Sequence, residues 1–228
     1  MPVLSLTLDH QRGLWQDRRT GETFSRLHFV FLGAQKRRSM WMNIEALDQR
    51  REVCSSPDGI TGTPKSGFPW TIAPEVEEVY DRETATIPCE KCVFHLFDKH
   101  YWKAPPCSPQ FVCPILFTTD STAPLSDWRA AFLNVRGSSV RDFNKARDRI
   151  VATDNVWFAQ KFESVPLIKS VKGNRFASAN LSAVGKFEYG NDELSIIEAK
   201  YDALIEARDA PPDPVTGLKD ALGIAKGQ

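Results

Sequence analysis

Residues 89–107, CEKCVFHLFDKHYWKAPPC, constrain the possible fold more than any other stretch of this 228-residue chain. Cys89 and Cys92 form a C-x2-C knuckle, a spacing that lets two thiolates face one metal while backbone N–H groups support the sulfurs. Cys107 follows the stiff Pro105-Pro106 pair, and Cys54 opens the turn-rich run CSSPDGITGTPKSGFPWTIAP. Residues 54–74 carry proline and glycine at intervals that predict no regular element. A long irregular segment inside a compact domain needs something to order it, and a structural zinc ion on Cys54, Cys89, Cys92 and Cys107 would do so. His95 or His100 could replace one of these thiols. The remaining cysteine, Cys113, sits in the apolar run QFVCPILF and reads as a buried, inert thiol.

Other chemistry for these cysteines finds less support. No βαβ pattern surrounds the knuckle, as a thioredoxin-like redox pair would require. The N-terminus lacks the basic start and long apolar run of a signal peptide, so an intracellular, cytoplasmic setting is expected, where stable disulfides are rare. No apolar run reaches the about 18–20 residues of a membrane span. Nucleophile-elbow, Walker and dinucleotide-binding motifs are absent from the sequence. The cluster His95, Asp98, His100 lacks the H-E-x-x-H arrangement, so no catalytic residue is assigned, and a metal-dependent nuclease stays only as an alternative.

The rest of the chain reads as mainly β with two late helices. Residues 3–8 alternate like a half-buried strand, and 22–33 and 36–42 predict a hairpin broken at Gly33. The acidic run 75–88 could hold one helical turn. Strands are expected at 110–119 and 128–137. Ser139 and Asp142 would cap a helix over 138–152 as a capping box. A hairpin is expected from 165–173 and 175–189, turning at Gly173-Asn174. Asn191 would cap a helix to 208, with Leu194, Ile197, Tyr201 and Leu204 as its buried stripe. One domain over 1–208, with an insertion at 54–107, would be followed by a flexible tail at 209–228.

Charge and aromatic content point toward a partner. The formal net charge is zero, yet between Arg129 and Lys186 eleven Lys and Arg face only Asp142, Asp148, Asp154 and Glu163. Residues 191–214 reverse this, with seven acids and two bases. Six Trp and fourteen Phe are present, and Trp41 follows the basic run Lys36-Arg37-Arg38. Bases neutralise phosphates and aromatic rings stack on exposed nucleobases. Lys36, Arg37, Arg38, Trp41, Arg136, Arg141 and Lys145 are therefore the candidate path for single-stranded DNA. An interaction module that docks a host or viral protein through its aromatic residues is the alternative.

The order LGAQKRRSMW, CSSPDGITG, CEKC, PPC and VRGSSVRDFN over residues 22–205 resembles bacteriophage single-stranded DNA-binding proteins with an OB-like fold and a cysteine-rich zinc insertion. The resemblance implies an OB-like barrel or sheet, zinc on Cys54, Cys89, Cys92 and Cys107, and sequence-independent coating of DNA in replication or recombination. One departure stands out. The chain ends GLKDALGIAKGQ, without the acidic tail that many such proteins use to recruit replication partners.

Overall fold

The apolar run around Cys113 forms the longest strand, β9 (Cys107–Thr118), and its alternation organises everything else. Phe111, Cys113, Ile115 and Phe117 project into the main core, while Leu116 projects into a smaller one on the opposite face. The computed structural model describes residues 4–44, 49–96, 105–152, 156–171 and 173–209. The expected tail at 209–228 lies, from residue 210 on, outside the described residues, as do Asp98, His100 and Trp102.

Along one edge of β9 runs β10 (Arg129–Arg136), antiparallel, the pair expected from sequence. Then β1 (Leu4–Asp9) adds parallel to β10, followed by β2 (Leu14–Asp17) and β3 (Thr23–Phe24). The other edge of β9 carries two strands in succession. β4 (Leu27–Phe31) covers its C-terminal part, and β5 (Gln35–Ile44) its N-terminal part. The expected hairpin between these two is therefore wrong: both run antiparallel to β9, end to end. The break falls beside Pro114, whose carbonyl accepts the Leu32 N–H at 2.8 Å but which has no N–H to return.

The stretch 54–74 is also more regular than its turn residues suggest. β6 (Gln49–Ser56), β7 (Thr61–Pro64) and β8 (Ile87–Pro88) extend the sheet from β5 by consecutive antiparallel pairings. Cys54 thus lies within a strand. This region has its own apolar core, built from Met40, Val53, Phe68, Ala73, Val76, Ile87 and Phe94 beside Cys92 and Cys107. One helical turn, α1 (Glu75–Glu78), contributes Val76 to it.

Helices flank the sheet on opposite faces. From α2 (Ser139–Ala152), Phe143, Ala146 and Ile150 pack into the main core with Phe31 and Phe111. Ser139 and Asp142 do not form the expected capping box. The Ser139 hydroxyl accepts the Ala179 N–H at 3.0 Å, and the Asp142 carboxylate accepts the Asn180 N–H at 3.0 Å. Tertiary partners thus take the oxygens that a local cap would use. Those partners lie between β13 (Asn174–Ser178) and β14 (Leu181–Lys186). β12 (Leu167–Val171) pairs with β13 as expected, but β14 joins β11 (Gln160–Ser164) instead of prolonging that hairpin. Asn180, with φ of 47°, turns the chain between them.

The other face receives α3 (Asn191–Asp209), which buries Ile197 and Leu204. Tyr201 is 37% exposed, so it does not belong to the buried stripe. Glu193 accepts the Gly190 N–H at 2.8 Å and anchors the first turn. Twelve of the described strands make an open, mixed sheet and no closed barrel, while β12 and β13 form a separate two-stranded sheet. The chain is α+β and mainly β, with the β9 alternation separating the α2 face from the α3 face. No described helix is long and apolar enough to cross a membrane.

Candidate metal centre and nucleic-acid interface

Strand register gathers four cysteines that sequence separates widely. Met40 on β5 pairs with Cys107 on β9 and with Cys54 on β6, placing both cysteines beside one residue. Cys89 follows β8, and its N–H donates to the Ile60 carbonyl at 2.7 Å, which ties the knuckle to β7. Cys54, Cys89, Cys92 and Cys107 then line a single void of about 10 Å³ with Met40, Gly62, Phe68 and Ile87. That is room for about one small occupant.

The donor set fits a thiolate-binding metal. The Phe94 backbone N–H favours the Cys92 thiolate and so acts against the rise that burial causes. A Cβ added to Gly62 would lie 3.1 Å from the Cys54 sulfur and 3.5 Å from the Cys89 sulfur. Glycine therefore lets the backbone approach both thiols. Burial, reinforced by the neighbouring cysteines, pushes the Cys54 thiol up to about 12. Burial likewise pushes Cys107 to about 11, with Arg38 acting against it. Burial also raises Cys92, and it raises Cys113 well above the ordinary range. Burial thus favours the neutral thiol at Cys54, Cys92 and Cys107, and a bound cation would favour their anions. The thiols surround the void without a finished coordination shell: among the described residues no three His, Cys, Asp or Glu side chains stand ready to hold an ion.

Cys113 stands apart in the main core, fully buried, as the sequence suggests. His95 lies in a short 3-10 turn, and its Nδ1 meets the Cys92 carbonyl of its own knuckle. His100 lies outside the described residues.

The turn from β6 to β7 is held by Asp58, whose carboxylate accepts the Ile60 and Thr61 N–H groups, both at 2.8 Å, and the Ser56 hydroxyl at 2.9 Å. These bonds, the Thr61 N–H first, lower its carboxyl from the ordinary 3.8 to about 2. A depressed carboxyl stabilises the fold above its unfolded value, and this contribution is lost as pH falls toward about 2. Asp58→Ala is expected to lower the melting temperature at pH 7 and to flatten its dependence on pH below 4. Thermal melts from pH 2 to 7 check this, and parallel curves for the two proteins would contradict it.

The basic run divides between the two faces, because successive strand residues point opposite ways. Arg37 pairs with Gln110, which pairs in turn with Arg136, so these three form a row across β5, β9 and β10 on the α3 side of the sheet. Trp41, 43% exposed, donates from Nε1 to the Ser39 hydroxyl at 3.2 Å, and Gln110 also donates to that hydroxyl. Trp41, Gln110 and Arg136 line one groove of about 460 Å³ with His10, Ser108 and Gly137. A second recess of about 310 Å³ lies between the sheet and Tyr201, Ile205 and Arg208 of α3. Gly137, with φ of 58°, turns the chain from β10 into α2 immediately after Arg136.

The groove is electropositive by construction. Surrounding chain withdraws water from the Arg136 guanidinium, and nearby Arg18 adds like-charge repulsion; both lower its pKa. Among the described residues no carboxylate forms an ion pair with Arg18, Arg37 or Arg136. The Arg37 Nε is buried without a partner, while its Nη2 donates to the Gln35 side chain at 3.4 Å. Arg129 differs, held by Glu22 through bonds of 2.8 and 2.7 Å.

The other candidates lie elsewhere. Lys36 and Arg38 occupy the opposite face of β5; Lys36 packs beside Gly59, and Arg38 faces the thiols. Arg141 and Lys145 are exposed on α2, beyond the main core from the groove. Sequence reasoning missed Ser108 and Gln110, although their alternation with apolar neighbours marks a polar strand face. Comparison with known proteins returns no matching family model and no matching curated sequence.

Proposed function

We propose that this protein binds single-stranded DNA along the α3-side face of its sheet, without strong sequence preference, and that a structural zinc ion on Cys54, Cys89, Cys92 and Cys107 braces the edge of that face. One observation carries the binding reading: an exposed Trp41 shares a groove with Gln110 and Arg136 of the row Arg37–Gln110–Arg136, and among the described residues the arginines lack carboxylate partners. Arginines supply phosphate contacts, Gln110 and Ser108 offer hydrogen bonds, and Trp41 offers a stacking platform. A duplex keeps its bases stacked inside and cannot use such a platform. The resemblance to phage single-strand binders agrees with this reading, and coating DNA in replication or recombination follows as its role.

Zinc suits four thiols around a small void, since thiolates favour it and tetrahedral four-coordination closes the shell. When bound, it would cross-link β6, the knuckle and β9. The chain's residues otherwise act by position: β5 presents Trp41 to the groove and places Arg37 beside Gln110 on the same sheet face, while Met40 packs toward the thiols.

Hydrogen exchange with and without an oligothymidylate tests the path. Protection is expected in β5, the first half of β9 and the end of β10, with none on the outer face of α2. Arg141→Ala and Lys145→Ala together should change affinity by less than about twofold, as distant surface changes do. A large loss of affinity in that double variant would move the DNA path to α2.

A further inference from the structure

Arg38 is a cation on the thiol side of β5, where its charge acts on Cys107 and Cys92. It stands on β5 opposite Pro109 of β9 and Ser56 of β6, two residues before the Met40 that pairs with Cys54 and Cys107. Its side chain lies on the same face of β5 as Met40, and its positive charge favours the thiolate forms of Cys107 and Cys92. Its Nε is buried with no hydrogen-bond partner. Among the described residues no carboxylate pairs with it.

A partly buried guanidinium is costly unless an anion or strong acceptors face it. Neutral thiols are weak acceptors, and Ser56, its register neighbour, donates its hydroxyl to Asp58. Thiolates would satisfy the guanidinium, because a charge-assisted hydrogen bond is about twice as strong as a neutral one. Four thiolates on one divalent ion leave a doubly negative centre, which needs positive charge from its surroundings.

We infer that Arg38 is the counter-cation of a metal-thiolate centre, a positioning residue that raises zinc affinity and does not touch DNA. The inference rests on the zinc reading above. It also explains why three consecutive basic residues need not form one DNA-binding stripe: β5 places Arg37 beside Gln110 on the α3 side of the sheet and Arg38 on the side of the thiols.

The test compares Arg38→Met, which keeps an apolar stem without charge, with Arg38→Lys, which restores the charge. Zinc affinity is read by competition with a chromophoric chelator, and DNA affinity by anisotropy in saturating zinc. Arg38→Met is expected to weaken zinc binding by about tenfold or more, the scale of a charge-assisted hydrogen bond. Arg38→Lys should recover most of that loss, and DNA affinity in saturating zinc should stay within about twofold for both. Unchanged zinc affinity in Arg38→Met, or a DNA defect that zinc saturation and lysine both fail to repair, overturns the assignment. A wild-type protein that takes up no zinc overturns the underlying zinc reading as well and is distinguished at the first titration.

Discussion

Trp41→Ala combined with Arg136→Ala is expected to lower affinity for an oligothymidylate by about a hundredfold. A stacked aromatic ring contributes about 1–3 kcal/mol per base, and about 1.4 kcal/mol is a factor of ten. Losing one phosphate contact should also reduce the slope of log affinity against log salt by about 0.7. The fold should survive, because Trp41 and Arg136 are exposed at the groove rather than packed in the main core. Circular dichroism and anisotropy over a salt series check both parts. Unchanged affinity would remove the groove from the DNA path. A tenfold loss with no change in salt slope would leave Trp41 in the path and remove Arg136.

The second large effect concerns the thiols. Cys92→Ser is expected to abolish stoichiometric zinc uptake and to cost at least about 3 kcal/mol of stability, since loss of a structural metal belongs to the most damaging class of substitution. Strong chelation of the wild type should destabilise it in the same direction. The small core of Val53, Phe68, Val76, Ile87 and Phe94 should keep β6 and β7 partly ordered without metal. Cys113→Ala is the control: Cys113 lies in the main core, so the variant should lose stability by cavity formation yet retain one zinc per chain. Native mass spectrometry and denaturant melts separate the two variants. Full zinc occupancy in Cys92→Ser would contradict the ligand set.

Local pattern made much of the fold legible. The strands at 110–119 and 128–137 and both long helices are visible because apolar residues recur at periods of two and near 3.6. What escaped depends on partners distant in sequence. Nothing local tells β4 and β5 to lie end to end along β9 rather than fold back on each other; the missing N–H of Pro114, eighty residues away, marks the break. Ser139 and Asp142 spell a capping box, yet Ala179 and Asn180 claim their oxygens. Residues 54–64 read as loop because Pro57, Gly59, Gly62 and Pro64 dominate them, but β6 and β7 pair around a tight Asp58 turn.

The candidate site shows the same division. The four cysteines could be grouped by residue type and by the C-x2-C spacing, and the register of Met40 accounts for how β6 and β9 bring two of them together. The basic run could be read as a binding feature, but strand alternation halves it, sending Arg37 toward Gln110 and Arg38 toward Cys107. Arg136 joins Arg37 only because Gln110 stands between them in the sheet. Arg141 and Lys145 follow Arg136 closely in sequence, yet the turn at Gly137 carries them to the far side.

The central claim is that the α3-side sheet face holds single-stranded DNA. Anisotropy of a labelled oligothymidylate, titrated with the zinc-loaded protein over a salt series and with unlabelled duplex as competitor, tests it most directly. The expected result is binding that weakens steeply with salt and resists competition by duplex. Absence of binding at low salt, or equal displacement by duplex, would contradict it.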